Sequence, residues 1–320
     1  MSLPDPIHAA LNPVALATPI FIVTVLAEII LARMGKIDAR YEGRDTAVSL
    51  GMGLGSNVAG LLFGAISFTA VVWVWQHWRI FDIPMTAWWA WVLVFLAEDL
   101  AYYWFHRLSH ERRVWWLSHV NHHSSQHYNL STALRQTWTG ALNGSWSVYL
   151  VLSLLGFPPA MVAIQKGVSL VYQYWIHTEA IRRMPAWFEA VFNTPSHHRV
   201  HHARNAVYLD KNYAGILIVW DRLFGTFQPE LDAEPCRYGL VKNLATFNIV
   251  RVAFHEWIAM AQDVVRHPRH ALGYIFGPPG WSHDGSRETS AMIKARAAGG
   301  GEATSTGAAE PAVSPAAAAG

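Results

Sequence analysis

Cysteine is nearly absent from this chain: Cys236 is the only one in 320 residues. An internal disulfide is thereby excluded, and so is an iron–sulfur cluster held by four cysteines. Electrons for any redox chemistry must then come from outside the chain. Charge is scarce as well. Lys, Arg, Asp and Glu make up 14% of the residues, against about 25% in soluble domains, while 52% are hydrophobic and 16 are Trp. That balance belongs to a polytopic membrane protein. A formal net charge of +2 leaves no electrostatic footprint for nucleic acid, and no basic run interleaved with aromatics forms a strand-binding groove. Residues 1–13 hold no Lys or Arg, so the charged start of a signal peptide is missing. The apolar run Val14 to Ala32 is therefore read as retained.

What is present is hydrophobic length. Apolar segments fall near 14–32, 47–78, 86–105, 142–156 and 158–177, and the first three are long enough to cross a bilayer. The second carries Gly51, Gly53, Gly55, Gly60 and Gly64, which permit close helix packing. The last two meet at Phe157-Pro158-Pro159 and read as a hairpin that dips in and returns short of the far side. Lys166 weighs against full crossing by the second arm. Basic residues set the orientation: Arg33, Lys36, Arg40 and Arg44 follow the first segment, Arg79 alone follows the second, and Arg107, Arg112 and Arg113 follow the third. The first and third groups read as cytoplasmic. Trp73, Trp75 and Trp78 face Trp88, Trp89 and Trp91 across the outer turn, as an aromatic belt does. The expected fold is all-α: a polytopic membrane protein with four to five membrane helices and a cytoplasmic, histidine-rich helical cap. Residues 1–294 form one integral-membrane domain, and 295–320 read as a disordered Ala/Gly/Pro-rich tail.

Histidine is the other surplus. His106-Arg-Leu-Ser-His110, His119-Val-Asn-His122-His123 and His198-Arg-Val-His201-His202 are HxxxH, HxxHH and HxxHH. With 17 His in the chain, one HxxHH is expected by chance only about 0.05 times. On a helix, positions i, i+3 and i+4 share a face, so each cluster aims two or three imidazoles at one spot. Imidazole suits iron, zinc, copper and nickel. Eight imidazoles would close two tetrahedral zinc sites, or leave positions open on two six-coordinate irons. A site at the end of a membrane bundle, within reach of lipid and of soluble electron donors, favours iron. His106 and His110 lack the Glu of HExxH, which removes the base that a zinc protease needs.

Longer strings surround these clusters: Glu98-Asp99-Leu-Ala-Tyr-Tyr-Trp-Phe-His106-Arg, Tyr128-Asn-Leu-Ser-Thr-Ala-Leu-Arg135-Gln, Tyr174-Trp-Ile-His177-Thr-Glu179, Asp210-Lys-Asn-Tyr213 and Trp220-Asp221-Arg222. Together, over 94–228, the chain resembles the fatty acid hydroxylase/sterol desaturase superfamily, within it the alkylglycerol monooxygenase-like bacterial branch. Gln126-His127 depart from that pattern, where two acidic residues are expected, and no further hydrophobic helix follows the motif region. The resemblance implies a non-haem di-iron, O₂-dependent monooxygenase that hydroxylates a lipid C–H bond at the bacterial inner membrane. The external electron donor it implies is tetrahydrobiopterin or a redox protein. In the named branch, hydroxylation beside an ether oxygen gives a hemiacetal that falls apart to an aldehyde. The implied ligands are His106, His110, His119, His122, His123, His177, His198, His201 and His202, and Glu111 matches an acidic position of the branch.

A ligating histidine usually gives its other N–H to a carboxylate or carbonyl. Asp99, seven positions before His106 on the same face, is expected in that role, ahead of Glu98, Glu111, Glu179, Asp210 and Asp221. His197 points about 100° from His198 and reads as a hydrogen-bonding neighbour. His8, His77, His127, His255, His267, His270 and His283 read as surface or interface residues. A sterol or carotenoid hydroxylase or desaturase is the alternative within the superfamily. The alternative outside it is a non-catalytic membrane metal-binding or transport protein, which would spread its ionisable residues along the spans.

Overall fold

The structure is a computed structural model that describes residues 12–299. His8 and residues 300–320 of the expected tail lie outside the described residues. Among those described the chain is helical with no strand, and two isolated bridges join Phe192 to Leu217 and Ala203 to Tyr238.

α1 (Pro13–Arg33) starts with Pro13 in its first turn, where a missing N–H costs nothing, and the Asn12 side chain accepts from Val14 N. α2 (Gly43–Trp78) has 36 residues, or about 54 Å at 1.5 Å per residue. These two helices are long and apolar enough to cross a membrane, and little of either is buried within the protein. Leu54 and Leu61 of α2 are 70% and 87% exposed, the reverse of a soluble core helix. α3 (Trp88–Glu111) has the length, but Glu98, Asp99 and its histidines make its second half polar. The expectation of four to five spans therefore meets two helices that qualify by composition.

An extended residue, Arg112, breaks the chain between α3 and α4 (Arg113–His123), which fold back on each other. A 3₁₀ turn, Ser145–Tyr149, leads into α5 (Leu150–Leu155), and α6 (Pro159–Trp175) returns. The tip of this hairpin reaches the turn after α2: Ile80 N donates to Leu154 O at 2.8 Å, and Trp75 Nε1 to Gly156 O at 3.2 Å. Gly156 has φ 101°, and a Cβ there would fall 1.8 Å from Phe81 O, so only glycine fits. The hairpin thus extends to the end of the bundle opposite the histidines, further than its short arms suggest.

α7 (Ala186–Val191) and α8 (Pro195–His202) follow, then α9 (Val219–Leu223). α10 (Ile249–Arg266) packs on α2 and α4, and buried Arg113 clamps it through Glu256 and Asp263, both at 2.7 Å. α11 (Ala271–Phe276) and α12 (Ser290–Ala298) complete the described chain. α12 is capped by Thr289 and runs into the segment read as tail, because its alanines favour helix.

Candidate metal centre

α8 is the inverse of α2. All eight of its residues are buried, four of them histidines, and Pro195 with the Thr194 cap sets its start. It lies across the ends of α3 and α4 and the residue after the α6 cap, His177. Nine imidazoles meet there in two groups: His106, His110, His119, His123 and His201 in one, His122, His177, His198 and His202 in the other. Within each group one nitrogen per ring lies within 4.8 Å of all the others.

The HxxHH motifs do not each aim at one spot. In both, the i, i+4 pair joins one group and the remaining histidine joins the other. On α4, His119 and His123 enter the five-histidine group while His122 turns to the second. On α8, His198 and His202 enter the four-histidine group while His201 crosses to the first. Adjacent residues on a helix diverge by about 100°, so the HH pairs His122–His123 and His201–His202 must straddle two centres. His123 and His202 stack where the groups meet, ring centroids 4.3 Å apart.

Backbone carbonyls fix the ring tautomers. His106 Nδ1 donates to Tyr213 O (2.8 Å), His177 to Gln173 O (2.7 Å), His201 to Lys211 O (2.9 Å) and His122 to Arg135 O (3.3 Å). A carbonyl only accepts, so each Nδ1 carries the proton and each Nε2 is a bare lone pair. His122 and His177 then face each other Nε2 to Nε2 at 3.1 Å with no proton between them. That contact is repulsive unless a cation sits in it. His110, His201 and His202 each hold an Nε2 that is buried without a partner. His106 and His123 meet His119 at 2.9 and 3.0 Å, as expected of nitrogens about 2.1 Å from one ion and at right angles to each other. The residues fit a pair of imidazole-bound transition metals. Burial, reinforced by neighbouring imidazoles, holds His110, His119, His123, His198, His201 and His202 well below the usual histidine range, and burial beside the Arg135 cation holds His122 at about 4. They are neutral and ready to ligate at neutral pH.

The expected carboxylate partner is not there. Among the described residues no carboxylate accepts from any of the nine rings. Asp99 lies two helical turns, about 10.5 Å, below His106 and cannot reach it. Fully buried, it instead accepts from Ile216 N (2.8 Å), Leu217 N (2.9 Å) and Trp220 Nε1 (2.9 Å). Asp221 accepts from Tyr213 N and Ala214 N, both 2.8 Å. Two carboxylates thus grip 213–217, the segment whose Tyr213 carbonyl receives His106. Gly215 is pressed so close that a Cβ would sit 3.0 Å from Asp99 Oδ1 and 2.9 Å from the Tyr102 ring. Upstream, Asp210 and Asn212 adopt left-handed backbone, φ 54° and 56°, on either side of Lys211, whose carbonyl receives His201. The Asn212 amide pins that turn through His197 O (3.0 Å) and Gln228 O (2.7 Å).

Two further anchors escaped the sequence reading. Arg135, whose carbonyl holds His122, is locked by Asp45 (2.8 Å) and Ser49 (3.1 Å) of α2. Buried Glu28 of α1 accepts from Leu130 N (2.8 Å), Tyr41 and Thr178, the residue after His177. Glu111 does not touch a histidine. It pairs with Arg107 at 2.8 Å on the rim of a cavity of about 360 Å³, whose wall includes His110, Asp210, Lys211 and Tyr213. Glu179 accepts from Tyr238, Asp210 lies 3.6 Å from Lys294, and His197 packs on Phe227 outside both groups.

Residues 91–226, the stretch that holds all nine histidines, match the fatty acid hydroxylase family. The chain carries a fatty acid hydroxylase domain. It is 41% identical to alkylglycerol monooxygenase of Homo sapiens over 269 residues and 42% identical to that of Danio rerio over 268. Each alignment covers 83% of this chain and 59% of the relative, so the chain spans under two thirds of those proteins. The ornithine lipid hydroxylase OlsE of Rhizobium tropici is 26% identical over 185 residues, 58% of this chain and 53% of its own length. No solved structure gives a significant match.

Proposed function

We propose that this chain is a membrane-bound, O₂-dependent monooxygenase that hydroxylates a lipid C–H bond, with two irons as its cofactor. The observation that carries the reading is the pair of converging imidazole groups inside a domain of lipid-hydroxylase type. His106, His110, His119, His123 and His201 would hold one iron, and His122, His177, His198 and His202 the other. When bound, such a pair supplies the oxidising power that replaces a lipid hydrogen with a hydroxyl. The relatives named alkylglycerol monooxygenase favour an ether lipid over a sterol or carotenoid.

The chain's own residues do the rest. The carbonyls of Tyr213, Gln173, Lys211 and Arg135 orient the rings, and Asp99 and Asp221 keep the Tyr213 carbonyl in place. Tyr128 and Tyr213, both buried, wall the site against water, which protects an oxidant from quenching. The cavity beside His110 offers the electron donor, a pterin or a redox protein, an approach on the five-histidine side, with Glu111 as its acidic group. α1 and α2 anchor the protein in the membrane. α3 and the α5–α6 hairpin complete the four to five segments, with the histidines on the cytoplasmic face of a bacterial inner membrane.

The test is oxygen uptake by the full chain, loaded with ferrous iron in lipid nanodiscs, with an ether lipid or an ester-linked lipid supplied and a reduced pterin as donor. Uptake with aldehyde release from the ether lipid alone is expected. Hydroxylated acyl chains and an untouched ether would move the substrate class, and iron exchange without any oxygen uptake would refute the enzyme.

A further inference from the structure

The interior between α3, α5 and α6 holds a polar cluster that the histidines do not use. Val94, Glu98 and Ala101 share one face of α3, and Val94 and Ala101 pack with Tyr149, Leu152, Met161 and Val162. Glu98 is fully buried, and neither of its carboxyl oxygens has a hydrogen-bond partner. The Tyr149 and Ser153 hydroxyls and Gln165 Nε2 are buried and unpartnered too. Half-buried Lys166 of α6 brings its ammonium 4.3 Å from the Tyr149 ring centroid. Groups of this kind are costly in an apolar bundle, and an ionisable pair at that depth marks a path for ions or protons.

Two polar tracks run from this cluster to the histidines. Along α3, Glu98, Tyr102 and His106 recur at every fourth residue, with the Tyr102 ring 5.3 Å from that of His106. Along α6, Gln165, Ser169 and Gln173 keep the same interval and His177 continues it. There Gln173 Nε2 donates to Ser169 Oγ (3.0 Å), and Gln173 O accepts from His177 Nδ1 (2.7 Å). The two helices pack together, so the tracks form one seam. One ends in the five-histidine group and the other in the four-histidine group. Val94, Leu152 and Met161, each no more than 1% exposed, fill the space around the cluster, which suits a proton and not a lipid head.

We propose that Glu98 is the proton reservoir for oxygen reduction, holding a proton in the α3–α6 seam and releasing it towards the histidine end. The inference rests on the monooxygenase reading. In that reaction one atom of O₂ enters the lipid C–H bond and the other leaves as water. Two electrons from the external donor and two protons complete the balance. A one-electron redox protein brings no protons, so with such a donor both must come through this chain, Glu98 releasing one per electron and regaining one from water in between. The charged and titratable groups facing Glu98 are Asp99 on its own helix, Lys166 on α6, and Tyr102 and Tyr149. Asp99 is already engaged by Ile216, Leu217 and Trp220, which leaves Glu98 to carry the proton.

Two variants of the full chain in nanodiscs decide it: Glu98→Gln, and the double change Glu98→Leu with Lys166→Met. The pair of apolar residues removes both ionisable groups and keeps the fold, since well-packed apolar replacements of such a pair are commonly neutral. In wild type, infrared spectroscopy is expected to show the carbonyl stretch of a buried carboxylic acid, and Glu98→Gln to lose it. Both variants are expected to bind iron as wild type does, yet turn over at least about tenfold slower with a one-electron donor, with a larger solvent deuterium effect and a displaced pH profile. Full rate in the double variant would make the pair a packing element and overturn the proposal, as would a carbonyl band that Glu98→Gln leaves in place. Should wild type oxidise no lipid at all, the monooxygenase reading is what fails, and the infrared band still reports whether Glu98 holds a proton.

Discussion

The two histidine groups are built from the same parts and placed differently. Both take an i, i+4 pair from an HxxHH helix and one ring from the other such helix. The five-histidine group adds His106 and His110 from α3; its His110 lines the cavity beside Glu111 and is only partly buried. The four-histidine group adds His177, and none of its members lines that cavity. The five-histidine group thus borders that cavity, while the four-histidine group, drawn from α4, α8 and the residue after the α6 cap, lies away from it. Near-identical motifs yield unequal sites because the third contributor differs: a helix end at the rim in one case, a residue behind a helix cap in the other.

The strongest challenge to this comparison is to remove one ring from each side of the stacked pair. His123→Ala and His202→Ala are each expected to cut turnover by more than about 100-fold, beyond the cost of losing an outer-sphere partner. Iron content should fall from two per chain towards one in both. His119→Ala belongs with them. If either stacked-pair variant kept full rate and iron, the division into two metal-binding groups would be wrong.

Much of the histidine set was legible in the sequence, its division into two groups was not, and the reasons are specific. Spacing found eight of the nine rings, because a helix turns i, i+3 and i+4 to one side. The 100° between adjacent residues parts each HH pair, but spacing could not say which rings of α4 and α8 meet, as His123 and His202 do. His177 stands alone in its segment and came only from resemblance. Asp99 was matched to His106 by angular phase alone, and the rise along the helix separates them. The acceptor carbonyls of Tyr213, Lys211, Gln173 and Arg135 carry no side-chain signature. What they leave in the sequence is indirect: the residues that shape their loops, such as Asn212 with its left-handed backbone and Asp221 with its two N–H donors. The apolar segments forecast both ends of α1 and α6 to within two residues, but not that α3 runs on to Glu111, that α5 starts only at Leu150 or that the short hairpin reaches Ile80.

The open side can be probed without touching a ring. Glu111→Gln keeps the size of the side chain and breaks the pair with Arg107. If this cavity serves the donor, kcat/KM for the donor should fall by about 100-fold, the range of a lost acid–base group, with iron content unchanged. An equal loss with saturating donor and with artificial reductant would move Glu111 from donor approach to the reaction itself. A smaller effect is expected from Asp99→Asn. The amide keeps one acceptor for the three donors now bound and loosens the Tyr213 carbonyl, so turnover should drop by about tenfold through weaker iron binding at the five-histidine group. Loss confined to the four-histidine iron would contradict the chain of contacts from Asp99 to His106.

Acid should act on both groups together. Burial keeps the rings neutral in the fold, while in the unfolded chain they take up protons near pH 6.5. The folded pKa is the lower one, so the contribution to stability is complete above pH 6.5 and is lost as pH falls towards 4, where His122 itself protonates. Thermal midpoints of the metal-free protein are expected to be flat from pH 7 to 8 and to decline below about 6.5. A midpoint independent of pH between 4 and 6.5 would mean that the rings are not held neutral.

The smallest effect belongs to a third histidine assembly, and it tests what makes the other two special. His267, His270 and His283 are also close in space: His283 lies 4.3 Å from the His267 ring and 4.5 Å from the His270 ring. Yet His283 stacks on His270 at an interplanar angle of 23° and is tilted by 39° to His267, and the three are not among the groups whose nitrogens converge. His283 Nδ1 is already 2.7 Å from the Tyr274 hydroxyl. Proximity is shared with the metal-binding candidates, and convergence of lone pairs is not. His267→Ala is therefore expected to leave iron content and turnover within twofold of wild type, as is His255→Ala, whose ring only meets the Val252 carbonyl of its own helix. A loss of iron in His267→Ala would show that ring clustering, and not the direction of the nitrogens, governs where this protein binds metal.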